Sequence, residues 1–382
     1  MKEKIVLVTA GGHVSCFHAA MKEMHETLDR NMHARDSLEL WGAFGGLGGL
    51  MGEKFIPINF KDIDENRAGS LIGADRNIAK GNNLLDIVTR NNIHAIVTMG
   101  GDNHLGEASE LSKQGINAVG WPKTMDGDLS SLVTLGYETA VSFAAKQTRK
   151  HYSSAMTNRK VFYVGLFGRN TDWVPCAVAA YGGADRCIPC EQNYEWDFVW
   201  DKISSSVREN KEKYGVSFAV VPYSEGAIIK EFQPIPGEKV ELDKHGLPKL
   251  EPEWAGRQLV KFTKKSGAGA CFQAYTYSLR DEEPTETDKK LARMAGRECM
   301  RMILEGDFGK AVIFKESGDF YRADRAPIRE VAIQRKLKPT GFFDYEELRP
   351  TQSFVNAYGR LFRDSLGSPP TKDQLVYRNM LK

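Results

Sequence analysis

Short apolar segments alternate along the chain with amphipathic ones. The apolar segments are rich in β-branched residues and lie at 5–8, 95–99, 118–120, 161–164 and 218–221. Because they are almost continuously apolar, we expect strands that are covered on both faces. The amphipathic segments have the spacing of helices and lie at about 18–30, 79–92, 105–114, 135–150 and 286–305. This alternation predicts an α/β fold with mostly parallel sheets.

Glycines follow three of the predicted strands. The first strand leads into Gly11-Gly12, the strand at 95–99 into Gly100-Gly101-Asp102, and the strand at 161–164 into Gly168-Arg169. In open parallel sheets, ligands bind in the crevice beyond the carboxyl ends of the strands. Three glycine-bearing loops at that edge therefore predict one ligand crevice.

Length and charge limit the class of protein. A chain of 382 residues is long for one domain and sufficient for two. The formal net charge of +2 gives no basic field for nucleic acid, and no apolar run approaches the length of a membrane span. The apolar run near the start leads directly into glycines, which favours a strand over a signal peptide and predicts a cytoplasmic protein. The segment at about 231–256 is rich in proline and charge, which predicts an inserted loop or hairpin.

The six cysteines give no sign of a disulfide framework. They are sparse and irregularly spaced. Cys187 and Cys190 form a CxxC pair, but no second pair stands nearby at the spacing of a zinc site. We therefore expect two small buried residues here and not a metal or redox centre.

The loop at Gly100-Gly101-Asp102 has the composition of a phosphate site. Glycines let the backbone approach a phosphate, and the N-terminus of the following helix offers unpaired N–H donors. A carboxylate at this point suits Mg²⁺, which usually shares one or two carboxylates with substrate phosphates. Taken alone, a plain turn also explains the segment.

A second polar cluster follows the strand at 118–120. Residues 122–128 read Pro-Lys-Thr-Met-Asp-Gly-Asp, which places two carboxylates beside a lysine and a threonine. Phosphoryl transfer to an alcohol needs a base near the hydroxyl and cations around the transferred group. In this interpretation Asp126 is the base, Asp128 supports the metal, and Lys123 neutralises phosphate charge. A solvated acidic turn is the alternative that these residues alone leave open.

The segment GGDNHLGEASELSKQGINAVGWPKTMDGDLSSLVTLGYETAV resembles the core of the phosphofructokinase family. In that family GGD is followed by a strand that ends in PKT(I/M)D-x-D and then by a helix with a TA pair. Other segments resemble the family in the same order: LVTAGGHVSCFHAA, LWGAFGGLGGLMG, SLIGADR, VGLFGRNTDW, YSEGA and YSLRDEEPTETDKKLARMAG. The likeness covers roughly residues 4–315.

The resemblance implies two Rossmann-like, three-layer domains with mostly parallel sheets and an active site in the cleft between them. Residues 1–140 with about 275–325 would form the domain that binds the phosphoryl donor. Residues about 141–274 with the C-terminal segment would form the sugar-phosphate domain.

The resemblance also implies a role for each matching residue. The catalytic residues would be Asp126 as general base, Lys123, Thr124 and Arg169. The sugar phosphate would be bound by Gly168, Glu225, Tyr277, Arg280 and Lys160. The donor would be bound by Gly11, Arg76, Gly101 and Asn103. The ligands of Mg²⁺ would be Asp102 and Asp128.

Two positions bear on the phosphoryl donor. The residue after GGD is Gly in most ATP-using members and Asp in most pyrophosphate users, and here it is Asn103, close to Asp in volume. Lys123 matches the pyrophosphate group, although some ATP users also carry this lysine. The resemblance is therefore closest to the pyrophosphate-dependent group. It implies Mg²⁺-dependent transfer from pyrophosphate to the 1-hydroxyl of fructose 6-phosphate by a homodimer or homotetramer.

Some positions depart from the family pattern. Lys160 stands where an arginine of a neighbouring subunit usually reaches the sugar phosphate, and Cys271 stands near a second such arginine. Another sugar phosphate or a cyclitol therefore remains an alternative acceptor. His13, His18 and His104 are also unusual, and we expect loop or packing roles for them.

Three rival functions follow from these departures and from the fold class. One is an ATP-dependent kinase on the same fold, and another is a non-catalytic regulatory paralogue. The third, a Rossmann dehydrogenase, requires a GxGxxG motif after the first strand, whereas the chain has Gly11-Gly12-His13 there. We therefore reject the dehydrogenase.

Overall fold

The computed structural model describes residues 2–9, 11–74, 84–232 and 252–376. The chain divides into two compact units, each built from two separate stretches of sequence. The first unit comprises Met1–Thr139 and Arg280–Arg335, and the second comprises Ala140–Leu279 and Lys336–Lys382. The boundaries fall inside helices or loops and not inside a strand.

The strands of the described residues are numbered in chain order. They are β1 (Glu3–Thr9), β2 (Leu38–Ala43), β3 (Phe55–Pro57), β4 (Ile93–Gly100), β5 (Ala118–Pro122), β6 (Val161–Leu166), β7 (Ala219–Ser224), β8 (Ala270–Tyr275), β9 (Lys310–Ser317), β10 (Phe320–Pro327), β11 (Phe343–Asp344) and β12 (Arg349–Pro350).

The α-helices are numbered in the same way. They are α1 (Phe17–Arg30), α2 (Met32–Ser37), α3 (Gly46–Met51), α4 (Leu84–Arg90), α5 (Asp102–Lys113), α6 (Tyr137–Asn158), α7 (Trp173–Gly182), α8 (Trp196–Tyr214), α9 (Pro252–Lys265), α10 (Ser278–Asp281), α11 (Glu286–Glu305), α12 (Ile328–Val331), α13 (Gln352–Leu366) and α14 (Lys372–Leu375). None of the helices in the described ranges is long and apolar enough to cross a membrane.

The first unit is built on a seven-stranded sheet. Its strand order is β10-β9-β5-β4-β1-β2-β3. The five inner strands are parallel, and β10 and β3 pair antiparallel at the two edges. The central strands β1 and β4 are almost fully buried, as expected for a parallel sheet that is covered on both faces. Their apolar side chains form the core of this unit.

Helices α1 and α11 of the first unit pack closely because Gly296 lies at their contact. A β-carbon at Gly296 would overlap the backbone of Ala20, so glycine allows the approach. The buried residues of α11 recur at helical spacing, as the amphipathic pattern at 286–305 predicts.

The second unit contains a smaller parallel sheet with the order β7-β6-β8. Val161 at the start of β6 pairs with Ala219 of β7 and with Ala270 of β8, so all three strands begin in register. The predicted α/β class with mostly parallel sheets is confirmed.

The predicted elements agree with the structure except at some boundaries. All five predicted strands are present. Helix α5 begins at Asp102, three residues before the predicted start, and α6 continues eight residues beyond its predicted end. Of the predicted helix 79–92, residues 79–83 lie outside the described residues.

The inserted loop or hairpin that we predict at 231–256 is wrong at its end. Residues 233–251 lie outside the described residues, but 252–256 form the first part of α9. Ala255, Leu259 and Thr263 are buried along one face of this helix. Their spacing of four residues is helical, and it overrides the local proline and charge content.

Candidate active site

The loops that carry the predicted donor and catalytic residues emerge at one edge of the first sheet. Strands β1, β4 and β5 are neighbours and run parallel. Thr9 of β1 pairs with Met99 of β4, and Gly100 of β4 pairs with Pro122 of β5. The loops that follow these strands therefore begin side by side, as the sequence predicts.

The loop at 123–128 is held in a tight turn by its own side chains. The Thr124 hydroxyl accepts a hydrogen bond from the Asp126 backbone N–H at 3.1 Å and lies 3.2 Å from the Asp126 carboxylate. Thr134 donates a hydrogen bond to the Thr124 carbonyl at 2.7 Å. Gly127 has φ +70°, and a β-carbon there would also press on the Tyr137 ring, so both backbone and space require glycine. The turn leaves Asp126 half-buried.

Lys123 connects this loop to the loop after β1. Its side chain is only 2% exposed, and its ammonium group donates a hydrogen bond to the Gly12 carbonyl. Its backbone N–H also donates to the Gly100 carbonyl at 3.0 Å. Through one residue, the carboxyl ends of β1, β4 and β5 are tied together, and a buried positive charge is fixed among them.

Asp128 is the buried carboxylate of the loop. It is 6% exposed, and its carboxylate accepts a hydrogen bond from the Gln334 amide at 2.7 Å. Burial, followed by the negative charges of Asp126 and Asp102, raises the pKa of Asp128 to about 7, while the Gln334 hydrogen bond opposes the shift. Three carboxylates thus lie close enough to act on one another, and a bound cation would relieve their repulsion.

Asp102 and Asn103 stand in the first turn of α5. Gly101 is the N-cap residue, Asp102 is half-buried and Asn103 is exposed. The unpaired N–H groups and the positive end of the helix dipole at this point favour negative charge. The start of α5 therefore provides the N–H donors and positive dipole end that the sequence predicts for a donor phosphate.

The carboxylates fit Mg²⁺ as a cation that substrate helps to bind. Among the residues that the structure describes, no group of three or more His, Cys, Asp or Glu side chains is arranged to hold a metal ion by itself. Mg²⁺ usually takes one or two carboxylates and completes its shell with water and substrate phosphates. Asp102 and Asp128, which interact electrostatically, provide such a pair.

The loop after β1 packs against Arg280. Gly11 has φ +77°, which favours glycine. A β-carbon at Gly12 would overlap the Arg280 guanidinium, so the close approach depends on glycine. Arg280 thus lies beside the predicted donor loop, within the first unit, and its role in binding the sugar phosphate stays a prediction. Arg76, a predicted donor ligand, lies outside the described residues.

A second group of predicted residues lies at the carboxyl ends of the strands in the second unit. Leu166 of β6 pairs with Ser224 of β7 and with Tyr275 of β8, so the loops beyond them start together. These loops carry four predicted residues: Gly168, Arg169, Glu225 and Tyr277.

Two of these loops pack tightly on each other. The Ser224 hydroxyl donates a hydrogen bond to the Gly168 carbonyl and accepts one from the Gly226 N–H at 3.2 Å. A β-carbon at Gly226 would overlap the carbonyl of Arg169. Tyr277 is 66% exposed, so its ring is accessible to a ligand.

A cleft of about 600 Å³ in the second unit is lined by Arg169 and Gly226 together with the basic residues Lys336 and Lys338. Glu191 also lines it, but its carboxylate accepts hydrogen bonds from the backbone N–H groups of Asp172, Leu337 and Lys338. Because three cationic side chains stand against this one carboxylate, the lining has a positive balance that suits an anion.

Lys160 lies at the other end of the second sheet. It directly precedes β6, and a six-residue strand spans about 20 Å at roughly 3.3 Å per residue. Within one chain, Lys160 is therefore separated from Gly168 and Arg169 by the length of the strand.

Sequence reasoning missed Gln334, Arg335, Lys336 and Lys338. Gln334 contacts a residue 206 positions earlier in the chain. No local motif marks these residues, because their positions depend on the tertiary path of the chain after α12, which brings them next to residues that are distant in the sequence. The positive charges at 335, 336 and 338 were a visible signal, but their pattern is that of an ordinary solvated segment.

The unusual histidines have structural partners. The His18 ring accepts a hydrogen bond from the Leu71 N–H at 3.1 Å, so its other nitrogen, 2.9 Å from the Arg67 carbonyl, carries the proton. Burial lowers the pKa of His18, which favours this neutral form. His13 lies 2.6 Å from the Asp281 carboxylate. His13 lies in a loop and His18 is packed in α1, in agreement with the loop or packing roles that we expect.

The cysteines of the described residues are free thiols. Cys187 is buried and Cys190 is half-buried, and burial raises the pKa of both thiols. Cys187 is therefore the small buried residue that we expect, whereas Cys190 is only partly buried and lines the cleft described above.

Comparison with known proteins identifies the family. A family model described as Phosphofructokinase matches residues 4–303. The chain therefore belongs to the phosphofructokinase family, and the resemblance found in its motifs is confirmed.

Curated relatives include users of both donors. The chain is 28% identical over 288 residues to the pyrophosphate–fructose 6-phosphate 1-phosphotransferase of Streptomyces coelicolor, which covers 73% of this chain and 80% of that protein. It is 23% identical over 354 residues to the ATP-dependent 6-phosphofructokinase of Mycobacterium tuberculosis, which covers 89% of this chain and 98% of that protein.

Solved structures share the fold. The pyrophosphate-dependent phosphofructokinase of Marinobacter aquaeolei superposes with a TM-score of 0.77 at 18% identity, covering 99% of this chain and 98% of that one. At this level of identity the likeness establishes the architecture alone.

Proposed function

We propose that this protein transfers a phosphoryl group from pyrophosphate to the 1-hydroxyl of fructose 6-phosphate, giving fructose 1,6-bisphosphate and orthophosphate. The observation that carries the proposal is the loop at 123–128. It places a half-buried carboxylate, Asp126, between a buried lysine and a buried second carboxylate. A base and nearby positive charge are what phosphoryl transfer to an alcohol requires.

In the proposed reaction Asp126 accepts the proton of the sugar hydroxyl. The hydroxyl oxygen forms a bond to the terminal phosphorus of pyrophosphate, the bond from that phosphorus to the bridging oxygen breaks, and orthophosphate leaves. Lys123 provides fixed positive charge, and Thr124 keeps the turn that presents Asp126. Asp102 and Asp128 would hold Mg²⁺, which when bound neutralises negative charge on phosphate oxygens.

We assign recognition of the sugar phosphate to the second unit. Gly168, Arg169, Glu225 and Tyr277 follow the strands of its sheet, where ligands of parallel sheets bind. The positive lining of the adjacent cleft supports an anionic acceptor. A carboxylate such as Glu225 can recognise sugar hydroxyls by accepting hydrogen bonds from them.

Lys160 fits this assignment only if it acts from another copy of the chain. It stands at the opposite end of β6 from the other predicted residues. We therefore propose a homodimer or homotetramer in which Lys160 serves the site of a neighbour. Because phosphorylated sugars are retained in the cytoplasm, we propose that the protein works there.

Pyrophosphate is favoured as donor by two features. Asn103 projects from the first turn of α5 and is exposed beside the phosphate-binding loop, where the family's ATP users mostly have glycine. A relative named as a pyrophosphate-dependent enzyme also aligns with most of the chain. ATP is the second candidate, because relatives named as ATP-dependent enzymes align over a larger share of it.

An initial-rate panel tests the proposal. The purified chain is assayed with Mg²⁺ and either pyrophosphate or ATP, against fructose 6-phosphate, other sugar phosphates and inositol. We expect kcat/KM for pyrophosphate with fructose 6-phosphate to exceed that for ATP by about 10-fold or more, and EDTA to abolish turnover. A faster reaction with ATP would make the protein an ATP-dependent kinase. Sugar-phosphate binding without turnover would make it a regulatory paralogue.

A further inference from the structure

A segment from a distant part of the chain braces the loop at 123–128. This bracing segment, residues 331–335, begins at the last residue of α12 in the first unit. The Arg335 backbone N–H donates to the Asp128 carbonyl, and Leu129 forms an antiparallel bridge with Gln334. The end of the catalytic loop is thus held by backbone contacts to a segment that is distant in the sequence.

The Gln334 side chain reaches the Asp128 carboxylate directly. Its Nε2 lies 2.7 Å from Asp128 Oδ2. The Gln334 amide therefore donates its N–H to this oxygen. Because Asp128 is 6% exposed, water competes little with this bond.

Two neighbouring carboxylates make the orientation of Asp128 depend on this hydrogen bond. The negative charges of Asp126 and Asp102 act on Asp128, so both carboxylates repel the Asp128 carboxylate. A donor that fixes one oxygen of Asp128 restricts the rotation of this carboxylate. Outer partners of this kind orient carboxylate ligands and tune metal affinity.

We infer that Gln334 is a positioning residue for the divalent cation and acts by holding Asp128 Oδ2. The inference rests on the proposed function in assigning the cation to Asp102 and Asp128. It deepens that function, because it extends the cation site to a residue that no motif marks. Gln334 contacts neither substrate nor cation in this scheme.

Direct binding of Mn²⁺ tests the inference without depending on turnover. Full-length wild type and Gln334→Met are titrated with Mn²⁺ in the presence of orthophosphate, the reaction product that supplies phosphate oxygens to the cation, and are followed by electron paramagnetic resonance. Methionine keeps the length and much of the volume of glutamine but has no donor. We expect the Mn²⁺ dissociation constant to rise by about 10-fold or more. The Mg²⁺ concentration for half-maximal rate should rise by a similar factor, with KM for fructose 6-phosphate within about twofold of wild type.

A neighbouring substitution provides the matched control. Ile333 lies in the same segment, and its side chain is 58% exposed. Ile333→Gln should bind Mn²⁺ as wild type does. Asp128→Asn should weaken Mn²⁺ binding at least as much as Gln334→Met. If Gln334→Met does not fold, Gln334→Asn, which withdraws the amide by one methylene group, is expected to weaken binding in the same direction.

The outcomes separate this inference from the proposed function. Wild-type Mn²⁺ affinity in Gln334→Met, or in Gln334→Asn where that variant replaces it, overturns the inference, even if the melting temperature falls, because the bond would then be only structural. Failure of the wild type to bind Mn²⁺ also overturns it. Weakened Mn²⁺ binding in a protein without pyrophosphate-dependent turnover would support the positioning role and contradict the proposed function. Normal turnover with unchanged Mn²⁺ affinity would contradict the inference alone.

Discussion

The side chains of the loop at 123–128 differ in exposure, and this difference indicates which of them contacts the acceptor hydroxyl. Lys123 and Asp128 are buried, whereas Asp126 is half-buried. An acceptor hydroxyl therefore reaches Asp126 more readily than Asp128. Asp128 is buried and its Oδ2 is held by the Gln334 amide, which suits a carboxylate that holds a cation better than one that must meet the acceptor hydroxyl. Two carboxylates two positions apart thus take different roles because their environments differ.

Asn103 is the residue on which donor choice is predicted to depend. It is exposed in the first turn of α5, so Asn103→Gly removes a side chain beside the phosphate loop without opening the core. We expect the ratio of kcat/KM for ATP to kcat/KM for pyrophosphate to rise by about 10-fold or more. Initial rates with both donors measure the ratio. Lys113→Gly in the last turn of the same helix is the control, and an equal rise there would refute the role of Asn103.

At the scale of secondary structure, Asp288 joins the starts of α6 and α11. Its carboxylate accepts hydrogen bonds from the Gly136 N–H at 3.1 Å and from the Thr139 hydroxyl at 2.7 Å. Its own N–H donates to the Thr285 hydroxyl, the N-cap of α11. The start of α6, which follows the catalytic loop, is therefore fixed to α11 by one fully buried side chain.

Removing the Asp288 carboxylate should destabilise the first unit strongly. Asp288→Ala leaves the Gly136 N–H and the Thr139 hydroxyl without their acceptor in the core. We expect the free energy of unfolding to fall by about 2–6 kcal/mol, at about 1–3 kcal/mol for each of the two buried groups left unsatisfied. Chemical denaturation monitored by circular dichroism measures the change. A loss below about 0.5 kcal/mol would show that these bonds do not fix the helices.

The elements show what a single sequence can predict. The buried parallel strands were predictable because continuous apolar runs such as 95–99 identify them, and the glycine loops after β1 and β4 begin side by side as predicted. The position of Gln334 was not predictable, because it depends on tertiary pairing with a loop 206 residues away. The first turn of helix α9 was not predictable for a similar reason. Its local composition is rich in proline and charge, and the helix is recognised from the face that it buries in the folded chain.

At the scale of the whole molecule, each unit holds a histidine that resists protonation. His18 in the first unit and His151 in the second are partly or fully buried. Burial lowers the pKa of His18, and burial with the charge of Lys150 lowers the pKa of His151 to about 4. His151 also stacks on Phe162 and bonds the Tyr275 hydroxyl at 2.7 Å.

Acid should therefore lower the free energy of unfolding, in part because of His151. Its native pKa lies below the value of about 6.5 in an unfolded chain. As the pH falls from 6.5 towards 4, the unfolded state takes up a proton that the native state does not, so the free energy of unfolding falls. In His151→Gln this contribution is absent. Denaturant midpoints of both proteins at pH 7.5, 6 and 5 should show a steeper fall for the wild type, and parallel curves would contradict the argument.

The account as a whole depends on Asp126 acting as the base, and Asp126→Asn tests this most directly. The substitution keeps the size and one hydrogen-bonding oxygen of the side chain but cannot take the proton. Steady-state rates with pyrophosphate, fructose 6-phosphate and Mg²⁺ should show kcat reduced by about 100-fold or more, with sugar-phosphate binding close to that of the wild type. A variant that retains kcat within about threefold of the wild type would contradict the account.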